Sequence, residues 1–402
     1  MKIKIFNFGC KTNQYDGQLL QANFEANGWT IATDNDFENV LINSCCVTEN
    51  AEKEIKHLIT KFYREGKKVW LTGCFTGKFA DSFPDIKVFS KNFLLNNYFS
   101  SKVYSINKFT SHTRAFIKIE DGCENFCTYC IVPYTRGKIK SRNPGRIINE
   151  IKNIIDNGCK EIVLTGTNLG IYGKDINTDL LTLLKQILKI KQLQRLRISS
   201  IELAHLSDDI LKILSETEKF CPSFHIPLQS GSDNVLKNMA RHYKTKDYIE
   251  TIQKIKSIFP QATFTTDVMV GFPGETDKDF MKTLDLIKKT GFLKVHIFPF
   301  SPREKTPAFS YSQQIPEKIK KQRAKIAKEI SEEISMKVKE RFLNQEFEVL
   351  IEEKKGDYWS GHTKNYLPVI LKSDKNLHNE IINVKPVKII TEGVFKGFLL
   401  IL

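Results

Sequence analysis

Short apolar runs that each stop at a small or polar residue recur along most of the chain, and stretches with helical periodicity separate them. The first runs are I-K-I-F-N-F-G, V-L-I-N-S and V-W-L-T-G, and a helical segment at Ala51–Arg64 lies between the second and the third. Apolar runs of this length that alternate with helices are typical of parallel strands joined by crossover helices. The sequence therefore predicts an α/β protein that begins with a Rossmann-like parallel-sheet domain over residues 1–105.

A cysteine follows each of these three runs, at Cys10, Cys45 and Cys74. If the strands are parallel, the three thiols emerge at the carboxyl edge of one sheet, where open α/β sheets bind ligands. Separate buried thiols are the alternative, but they would not all be expected at strand ends behind Gly or Ser. We therefore predict a shared metal site. Cys46 directly follows Cys45 and is a second candidate for the same ligand position.

A second series of βα units is predicted over residues 110–340. Its strand runs are E-I-V-L-T-G-T-N, R-L-R-I-S-S-I-E, F-H-I-P-L-Q-S-G, F-T-T-D-V-M-V-G-F and V-H-I-F-P-F-S-P. Helical stretches such as Ile147–Asn157 and Asp279–Thr290 separate these runs. Repeated units of this length favour a full or partial TIM-type (β/α) barrel, with its site on the C-terminal face.

A basic amphipathic helix opened by Pro316 follows the last of these strands. Its apolar face contains Ile326, Ile330, Ile334, Val338 and Phe342. Six basic residues crowd its first half and make it either a solvated connecting helix or an RNA contact: Lys318, Lys320, Lys321, Arg323, Lys325 and Lys328. From residue 341 to residue 402, short strands such as F-E-V-L-I-E and P-V-I-L-K predict a small all-β barrel.

The charge balance favours a polyanionic partner, with nucleic acid first. Lys and Arg number 61 against 46 Asp and Glu, a formal net charge of +15. An AT-rich genome that encodes many lysines is the alternative explanation. The N-terminus lacks a signal-peptide core, and no apolar run reaches the ~18 residues of a membrane span. We expect a cytoplasmic protein with no membrane association, in which nine cysteines serve as ligands or buried thiols.

The stretch D-G-C-E-N-F-C-T-Y-C places Cys123, Cys127 and Cys130 in a C-x3-C-x2-C spacing. Thiolates favour zinc or iron–sulfur clusters, and no matching second pair for zinc lies nearby in the sequence. Three thiolates around a cubic cluster leave one iron without a protein ligand. An open position of that kind implies chemistry rather than a structural role.

The triplet, with Tyr129 before its last cysteine, resembles the signature of radical S-adenosylmethionine enzymes. The N-terminal cysteine segments, P-L-Q-S-G-S, D-V-M-V-G-F-P-G-E-T and W-S-G-H-T-K-N-Y together resemble the methylthiotransferase family along nearly the whole chain. The all-β segment is similar to that family's RNA-binding TRAM domain. G-C-K-x-N-Q and G-H-T-K-N-Y most resemble the subfamily that acts on threonylcarbamoyladenosine in tRNA.

The resemblance implies two [4Fe-4S] clusters, one on the triplet and one on Cys10, Cys45 and Cys74. It implies that S-adenosylmethionine occupies the open iron at the triplet and yields a radical that takes hydrogen from C2 of adenine. Sulfur from the other cluster then gives a 2-methylthio base at position 37, beside the anticodon. The implied partners are the tRNA anticodon stem-loop, an electron donor such as flavodoxin or ferredoxin, and a sulfur source.

The resemblance also implies cofactor contacts at strand ends. The alternative for each of these residues is a role in the barrel core or in a turn, without a cofactor contact. The expected contacts are Tyr129 to adenine, Thr165, Gly166 and Asn168 to the methionine amine, Gln229 and Ser230 to the ribose, and Asp267, His296, Gly271 and Gly274 around the barrel mouth. A basic run of Arg136, Lys138, Lys140, Arg142 and Arg146 is either an RNA contact or a solvated surface. Cys159 and Cys221 are expected to be structural thiols. Lys305 stands where the family usually has glycine.

Three other functions remain open from the sequence. A methylthiotransferase that modifies a ribosomal-protein aspartate would use the same clusters, and the basic net charge favours tRNA over it. An enzyme that accepts isopentenyladenosine is not excluded by the residues. A non-catalytic RNA-binding metalloprotein would hold zinc, or clusters with four protein ligands, and would not cleave S-adenosylmethionine.

Overall fold

The computed structural model describes residues 1–45, 49–74, 83–107, 109, 113–390 and 397–401. Cys46 lies outside the described residues, so its competition with Cys45 remains a prediction. Within the described part of the chain, no helix combines the length and the apolar character needed to cross a bilayer.

The elements alternate between strands and helices up to residue 340 and consist of strands beyond it. The strands are β1 (Lys2–Asn7), β2 (Thr30–Ile31), β3 (Asn39–Ser44), β4 (Lys68–Gly73), β5 (Lys87–Val88), β6 (Arg114–Lys118), β7 (Glu120–Asp121), β8 (Lys140–Ser141), β9 (Glu161–Thr165), β10 (Arg195–Ile198), β11 (Ser223–His225), β12 (Thr263–Val270), β13 (Lys294–Pro299), β14 (Phe347–Lys355), β15 (Tyr358–Thr363), β16 (Pro368–Lys372), β17 (Ile381–Val384), β18 (Lys388–Ile390) and β19 (Gly397–Ile401). The helices are α1 (Lys11–Ala26), α2 (Glu49–Arg64), α3 (Lys91–Phe93), α4 (Val132–Arg136), α5 (Pro144–Asp156), α6 (Leu180–Leu188), α7 (Asp208–Ser215), α8 (Asp233–Asn238), α9 (Thr245–Ile258), α10 (Asp277–Thr290) and α11 (Glu317–Glu340).

The N-terminal sheet has the strand order β2-β1-β3-β4-β5, and all of its pairs are parallel. The register sets Asn7 beside Asn43 and Asn43 beside Thr72, so β1, β3 and β4 end at the same edge. Apolar cores cover both faces of this sheet, as expected for parallel strands. The predicted Rossmann-like parallel sheet is confirmed.

Six parallel strands form the central unit. One sheet has the order β10-β9-β6 and the other has the order β11-β12-β13, and parallel bridges such as Leu196 to Phe220 and Ser200 to His225 join β10 to the β11 region. Helices follow the strands, and the largest hydrophobic core of the described residues packs between them. This arrangement confirms a partial (β/α) barrel and places the strand ends Thr165, Ser199 and His225 along one mouth.

The C-terminal strands form a curved sheet in the order β17-β14-β15-β16-β19-β18, antiparallel except for the β16–β19 pair. The sequence analysis did not identify β15, because W-S-G-H-T mixes small and polar residues. Ile334 and Val338 of α11, together with Phe342, pack into the core of this sheet. The apolar face predicted for this helix is therefore confirmed at its C-terminal end.

Two of the basic residues on α11 do not lie on a solvated or RNA-facing side. Lys320 is buried and its Nζ donates to the carbonyl of Phe300 at 2.9 Å. Arg323 is buried as well and pairs with Glu275 at 2.6 Å. Both side chains therefore anchor the helix against the barrel, because a buried cation needs an acceptor. Periodicity alone could not separate these anchors from their exposed neighbours.

Candidate active site

Cys10, Cys45 and Cys74 follow three neighbouring parallel strands, β1, β3 and β4. The strand ends stay paired up to the cysteines, since the amide of Phe8 donates to Asn43 and the amide of Cys74 donates to Ser44 at 3.1 Å. All three cysteines are free thiols. The parallel register thus brings them to one edge of the sheet, as the sequence predicted.

Gly9 allows the first two of these strand ends to approach each other closely. Its φ is +89°, and a Cβ at this position would lie 2.4 Å from the Sγ of Cys45. The side chain of Asn13 in α1 then ties the two ends together, donating to the carbonyls of Phe8 at 2.7 Å and Ser44 at 3.1 Å. The start of α1 therefore fixes the loop that carries Cys10.

The triplet Cys123, Cys127 and Cys130 lies in the loop after β7. Backbone hydrogen bonds hold this loop, from Cys123 to the carbonyl of Gly137 at 3.1 Å and from Cys130 to that of Cys127 at 2.9 Å. Burial raises the pKa of Cys130 to about 12. A metal that binds these thiols must therefore displace protons from them.

The donor set of these thiols decides which kind of metal group they could bind. Among the described residues, no three His, Cys, Asp or Glu side chains lie close enough to share one ion. A cubic cluster binds each thiolate at a different iron, so its ligand sulfurs stand farther apart than those around one zinc. The donor set of the triplet consists of three thiolates, which suits a cluster.

Two buried acceptors without partners lie beside the triplet. Glu120 accepts from the amide of Asn168 at 2.6 Å through Oε1, but its Oε2 and the Oδ1 of Asn168 have no hydrogen-bond donor among the described residues. The Nδ2 of Asn168 lies 4.0 Å from the Sγ of Cys123. Burial raises the pKa of Glu120 to about 8. Orphaned acceptors of this kind fit an ammonium group, which donates three hydrogen bonds.

Gly166 makes this arrangement possible. A Cβ at this glycine would lie 2.1 Å from the Oε1 of Glu120, so a larger residue would displace the carboxylate. Its neighbour Thr165 is buried, and the Thr165 hydroxyl lies 3.3 Å from that of Thr12 in α1. Thr165, Gly166 and Asn168 therefore lie where the N-terminal sheet domain contacts the barrel mouth, beside Cys123.

One arginine contacts each cysteine trio. Arg241 lies 3.5 Å from the Sγ of Cys127 and is fixed by Glu202 at 3.0 Å. Arg136 donates from Nε to the Sγ of Cys74 at 3.2 Å. Hydrogen bonds to cluster sulfurs and nearby charge set the reduction potential of such clusters. The sequence analysis did not identify Arg241, which lies far from any cysteine in the chain.

Arg136 belongs to a buried charge network, which we call the bridging network: Asp16, Lys91, Lys118, Asp121 and Arg136. Asp121 accepts from Lys91 at 2.6 Å, Arg136 at 2.7 Å and Lys118 at 3.0 Å, and Asp16 pairs with the same three cations. Burial alone would raise the pKa of Asp121, but the three cations outweigh burial and hold it well below its usual range. The network joins the sheet domain to the barrel between the two cysteine trios.

The predicted basic run does not act as one surface. Arg136 is part of the bridging network, and Arg142 is bound to Glu150 at 2.7 Å, so neither presents its charge to solvent. Lys138, Lys140 and Arg146 are exposed. One sequence feature could have indicated a buried charge network in this region: Lys118 lies within the apolar strand A-F-I-K-I.

Asp267 and His296 lie on neighbouring strands inside the barrel mouth, and His225 completes a group with them. The Nε2 of His225 is 3.2 Å from Asp267, and the rings of His225 and His296 are centred 5.8 Å apart. Burial, followed by Lys294, lowers the pKa of His296 to about 4, so this ring is neutral at physiological pH. The sequence analysis named Asp267 and His296 but not His225.

The remaining predicted contacts lie in turns and in the packing around the barrel. Tyr129 packs with the cluster of Phe272 and Phe300. Gln229 has a φ of +62°, and the buried hydroxyl of Ser230 accepts from the amide of Ser232 at 3.2 Å.

The two predicted glycines and the two isolated cysteines lie in structural surroundings. Gly271 and Gly274 have positive φ, and a Cβ at Gly271 would lie 2.2 Å from the Lys320 side chain. Cys159 lies 3.4 Å from the carbonyl of Glu161, and Cys221 is fully buried. These surroundings suit structural thiols.

Two family models match the chain. The model of the Radical SAM superfamily matches residues 117–287, and that of the Uncharacterized protein family UPF0004 matches residues 2–90. Among solved structures, the radical S-adenosylmethionine methyltransferase TsrM from Kitasatospora setae matches with a TM-score of 0.57 and 12% identity, over 77% of this chain and 76% of that chain. This likeness supports the barrel fold.

Curated relatives match over most of their length. The Threonylcarbamoyladenosine tRNA methylthiotransferase MtaB of Thermotoga maritima is 39% identical over 87% of this chain and 86% of its own, and the protein of the same name from Chlamydia pneumoniae is 35% identical over 90% and 89%. The tRNA-2-methylthio-N(6)-dimethylallyladenosine synthase of Clostridium botulinum is 34% identical over 96% and 94%. The chain belongs to the methylthiotransferase family of radical S-adenosylmethionine enzymes.

Proposed function

We propose that this protein is a tRNA methylthiotransferase that adds a 2-methylthio group to N6-threonylcarbamoyladenosine at position 37. The observation that carries the proposal is the pairing of two cysteine trios across one domain boundary, joined by Arg136, in a chain 39% identical to a protein of that name. A chemically inert C–H bond at C2 of adenine demands radical chemistry.

The triplet Cys123, Cys127 and Cys130 would hold one [4Fe-4S] cluster, and Cys10, Cys45 and Cys74 would hold a second, from which the sulfur would come. Bound at the triplet, the first cluster would supply the one-electron chemistry that generates, from S-adenosylmethionine, the radical needed to remove hydrogen from C2. Arg241 and Arg136 each direct an N–H at one thiolate of these trios. Both arginines would therefore stabilise negative charge on the trio that they contact.

Glu120 and Asn168 would receive the amine of the methionine moiety of S-adenosylmethionine, because both present an unused acceptor beside Cys123. Binding the ammonium there would favour the carboxylate form of Glu120, whose pKa burial otherwise raises. Gly166 leaves room for this carboxylate, and Thr165 stays proposed as a further contact. Tyr129, Gln229, Ser230, Asp267 and Gly271 stay proposed as further contacts, and His225 joins them through Asp267.

The tRNA anticodon stem-loop is the proposed macromolecular partner, and the all-β segment over 341–402 is the proposed TRAM domain. An electron donor such as flavodoxin or ferredoxin and a sulfur source complete the requirements of the reaction. The proposed limits of the two preceding domains are 1–105 and 110–340.

The test is mass spectrometry of tRNA nucleosides from cells with and without this protein. We expect 2-methylthio-N6-threonylcarbamoyladenosine to disappear and its unmethylthiolated precursor to accumulate. The dimethylallyladenosine synthase among the relatives supports one other candidate, a methylthiotransferase for N6-isopentenyladenosine. Loss of 2-methylthio-N6-isopentenyladenosine, with the threonylcarbamoyl derivative unchanged, would favour that candidate instead.

A further inference from the structure

Two distant segments of the chain meet inside the barrel. Lys11 follows Cys10 at the start of α1, and Tyr366 lies in the turn between β15 and β16. Tyr366, Arg114 and Arg197 are electrostatic neighbours of Lys11. We call Lys11, Arg114, Arg197 and Tyr366 the barrel-interior cluster. Its two outer members come from the segments G-C-K-x-N-Q and G-H-T-K-N-Y.

Tyr366 is held between cationic side chains. The guanidinium of Arg197 lies 4.7 Å from its ring centroid and that of Arg114 lies 5.0 Å from it. The ring of His362 stacks on it at 4.4 Å, with 18° between the ring planes. Its backbone has a φ of +65°, in the left-handed region that side chains rarely adopt. The ring is therefore a fixed element of the interior.

The cluster has more positive than negative charge. Around Tyr366 stand Lys11, Arg114, Arg197 and the neighbouring Arg195, against the carboxylates of Glu161 and Glu352 and, beside Arg195, that of Glu348 at 3.9 Å. Glu161 pairs with Arg197 at 2.8 Å, and Glu352 pairs with Arg114 at 3.0 Å. Three carboxylates against four cations leave one positive charge without a partner in this group.

Two donors in this cluster lack acceptors. Lys11 makes no side-chain hydrogen bond or ion pair with any residue that the structure describes. The Nε of Arg114 is buried and likewise lacks an acceptor within the described part of the chain. Half-buried and buried cationic donors without acceptors are costly, and an anionic ligand that supplies acceptors removes the cost. The cluster is thus prepared for an anion.

We infer that the barrel-interior cluster binds the carboxylate of the threonylcarbamoyl substituent and so selects this nucleoside over isopentenyladenosine. The inference rests on the proposed function. A carboxylate accepts two or more charge-assisted hydrogen bonds, whereas an isopentenyl group offers none. A neutral substituent would leave Lys11 and Arg114 unpaired, and sites with unpaired buried polar groups reject such analogues strongly.

The position of Lys11 along the chain supports this role. It is bonded to Cys10, so its Cα lies about 3.8 Å from that of a proposed cluster ligand. In adenine, C2 and the carbon that bears N6 flank the same ring nitrogen. A residue beside the proposed sulfur-bearing cluster is therefore well placed to contact the N6 substituent while C2 reacts.

The test compares affinities of anaerobically reconstituted enzyme, without S-adenosylmethionine, for three anticodon stem-loop RNAs. One carries threonylcarbamoyladenosine, one its uncharged methyl ester, and one isopentenyladenosine. Fluorescence anisotropy should show wild-type enzyme binding the first RNA at least about tenfold tighter than the other two. Lys11→Met should remove most of that preference, and Lys11→Arg should restore it. The matched control is Lys246→Met, which replaces an exposed lysine on α9 and should leave the preference among the three RNAs unchanged.

The outcomes separate this inference from the proposed function. The iron and sulfide content of Lys11→Met must match that of wild-type enzyme. Tyr366→Phe is a second variant, which leaves the Cys10 segment intact. It should weaken binding of the carboxylate RNA alone. If both variants keep the wild-type preference for the carboxylate over its ester, the inference is wrong even when the enzyme methylthiolates threonylcarbamoyladenosine. If wild-type enzyme methylthiolates only the isopentenyl RNA, the proposed function fails as well.

Discussion

The Nε of Arg136 donates to the Sγ of Cys74 at 3.2 Å, across the boundary between the N-terminal sheet and the barrel. Arg136 lies six residues after Cys130, so a single guanidinium connects the segment of one cysteine trio to a member of the other. Its Nη1 also binds Asp121 at 2.7 Å and Asp16 at 3.3 Å. Because these carboxylates belong to different domains, the arginine fixes the separation of the two trios.

Replacing Arg136 with Met should destabilise the metal-free protein by less than the about 3–5 kcal/mol of a fully broken buried pair, because Lys91 and Lys118 still pair with both carboxylates. Urea unfolding measures this change. Arg136→Lys should recover part of the loss, since it keeps the charge but cannot contact Cys74 and Asp121 together. The exposed Arg146→Met is the control. Equal unfolding midpoints for Arg136→Met and the control would show that the bridging network contributes no stability.

Lys305→Gly should stabilise the protein. Lys305 has a φ of +73°, so a side chain occupies a left-handed position that favours glycine. The strain costs about 1–2 kcal/mol, and the extra freedom of an unfolded glycine offsets about 0.5–1 kcal/mol of it. We expect a net gain of about 0.5–1 kcal/mol in thermal or urea unfolding. Lys305→Ala keeps the Cβ and should give no gain, and a gain there would refute the explanation from backbone strain.

The sequence predicted the elements that depend on local pattern. Apolar periodicity identified β1, β3 and β4, and parallel register then required Cys10, Cys45 and Cys74 to share an edge. Lys305 in place of the usual glycine put the local turn in doubt, but the structure retains a left-handed backbone at this position.

The features that the sequence missed depend on contacts between distant segments. Arg136 and Arg142 resembled members of a surface patch, but acids elsewhere in the chain draw both into buried pairs. Similarly, Arg241 reaches Cys127 only because the fold brings them together. Apolar periodicity indicates which face of a helix or strand is buried, but not which residues that face contacts. It therefore could not predict these ion pairs.

Glu352→Gln should make the free energy of unfolding depend less on pH below about pH 4.5. Burial would raise the pKa of Glu352, but His362 and Arg114 outweigh burial and lower it to about 2 from an ordinary 4.5. A depressed carboxyl pKa stabilises the fold fully above pH 4.5, and this contribution is lost as pH falls from 4.5 toward 2. A shift of about 2.5 units corresponds to roughly 3 kcal/mol.

Urea unfolding at several pH values between 3 and 7 checks this prediction. The wild-type free energy of unfolding should fall more steeply below pH 4.5 than that of Glu352→Gln, and the variant should be less stable at pH 7. The exposed neighbour Glu353, replaced by Gln, is the control. Parallel curves for wild type and Glu352→Gln would contradict the role assigned to this ion pair.

Substitutions in the two cysteine trios should separate two steps of the reaction. Cys127→Ala removes a thiolate of the triplet and should abolish formation of 5′-deoxyadenosine, by at least about 100-fold. Cys10→Ala should spare this cleavage and stop methylthiolation, because Cys10 lies at the sheet edge rather than in the triplet. Chromatography of the nucleosides measures both products, and the iron content should fall from about eight to about four atoms per chain in each variant.

Cys159→Ala is the control, since this thiol contacts only backbone carbonyls among its described hydrogen-bond partners. Persistent cleavage in Cys127→Ala, or methylthiolated tRNA from Cys10→Ala, would overturn the assignment of the corresponding trio.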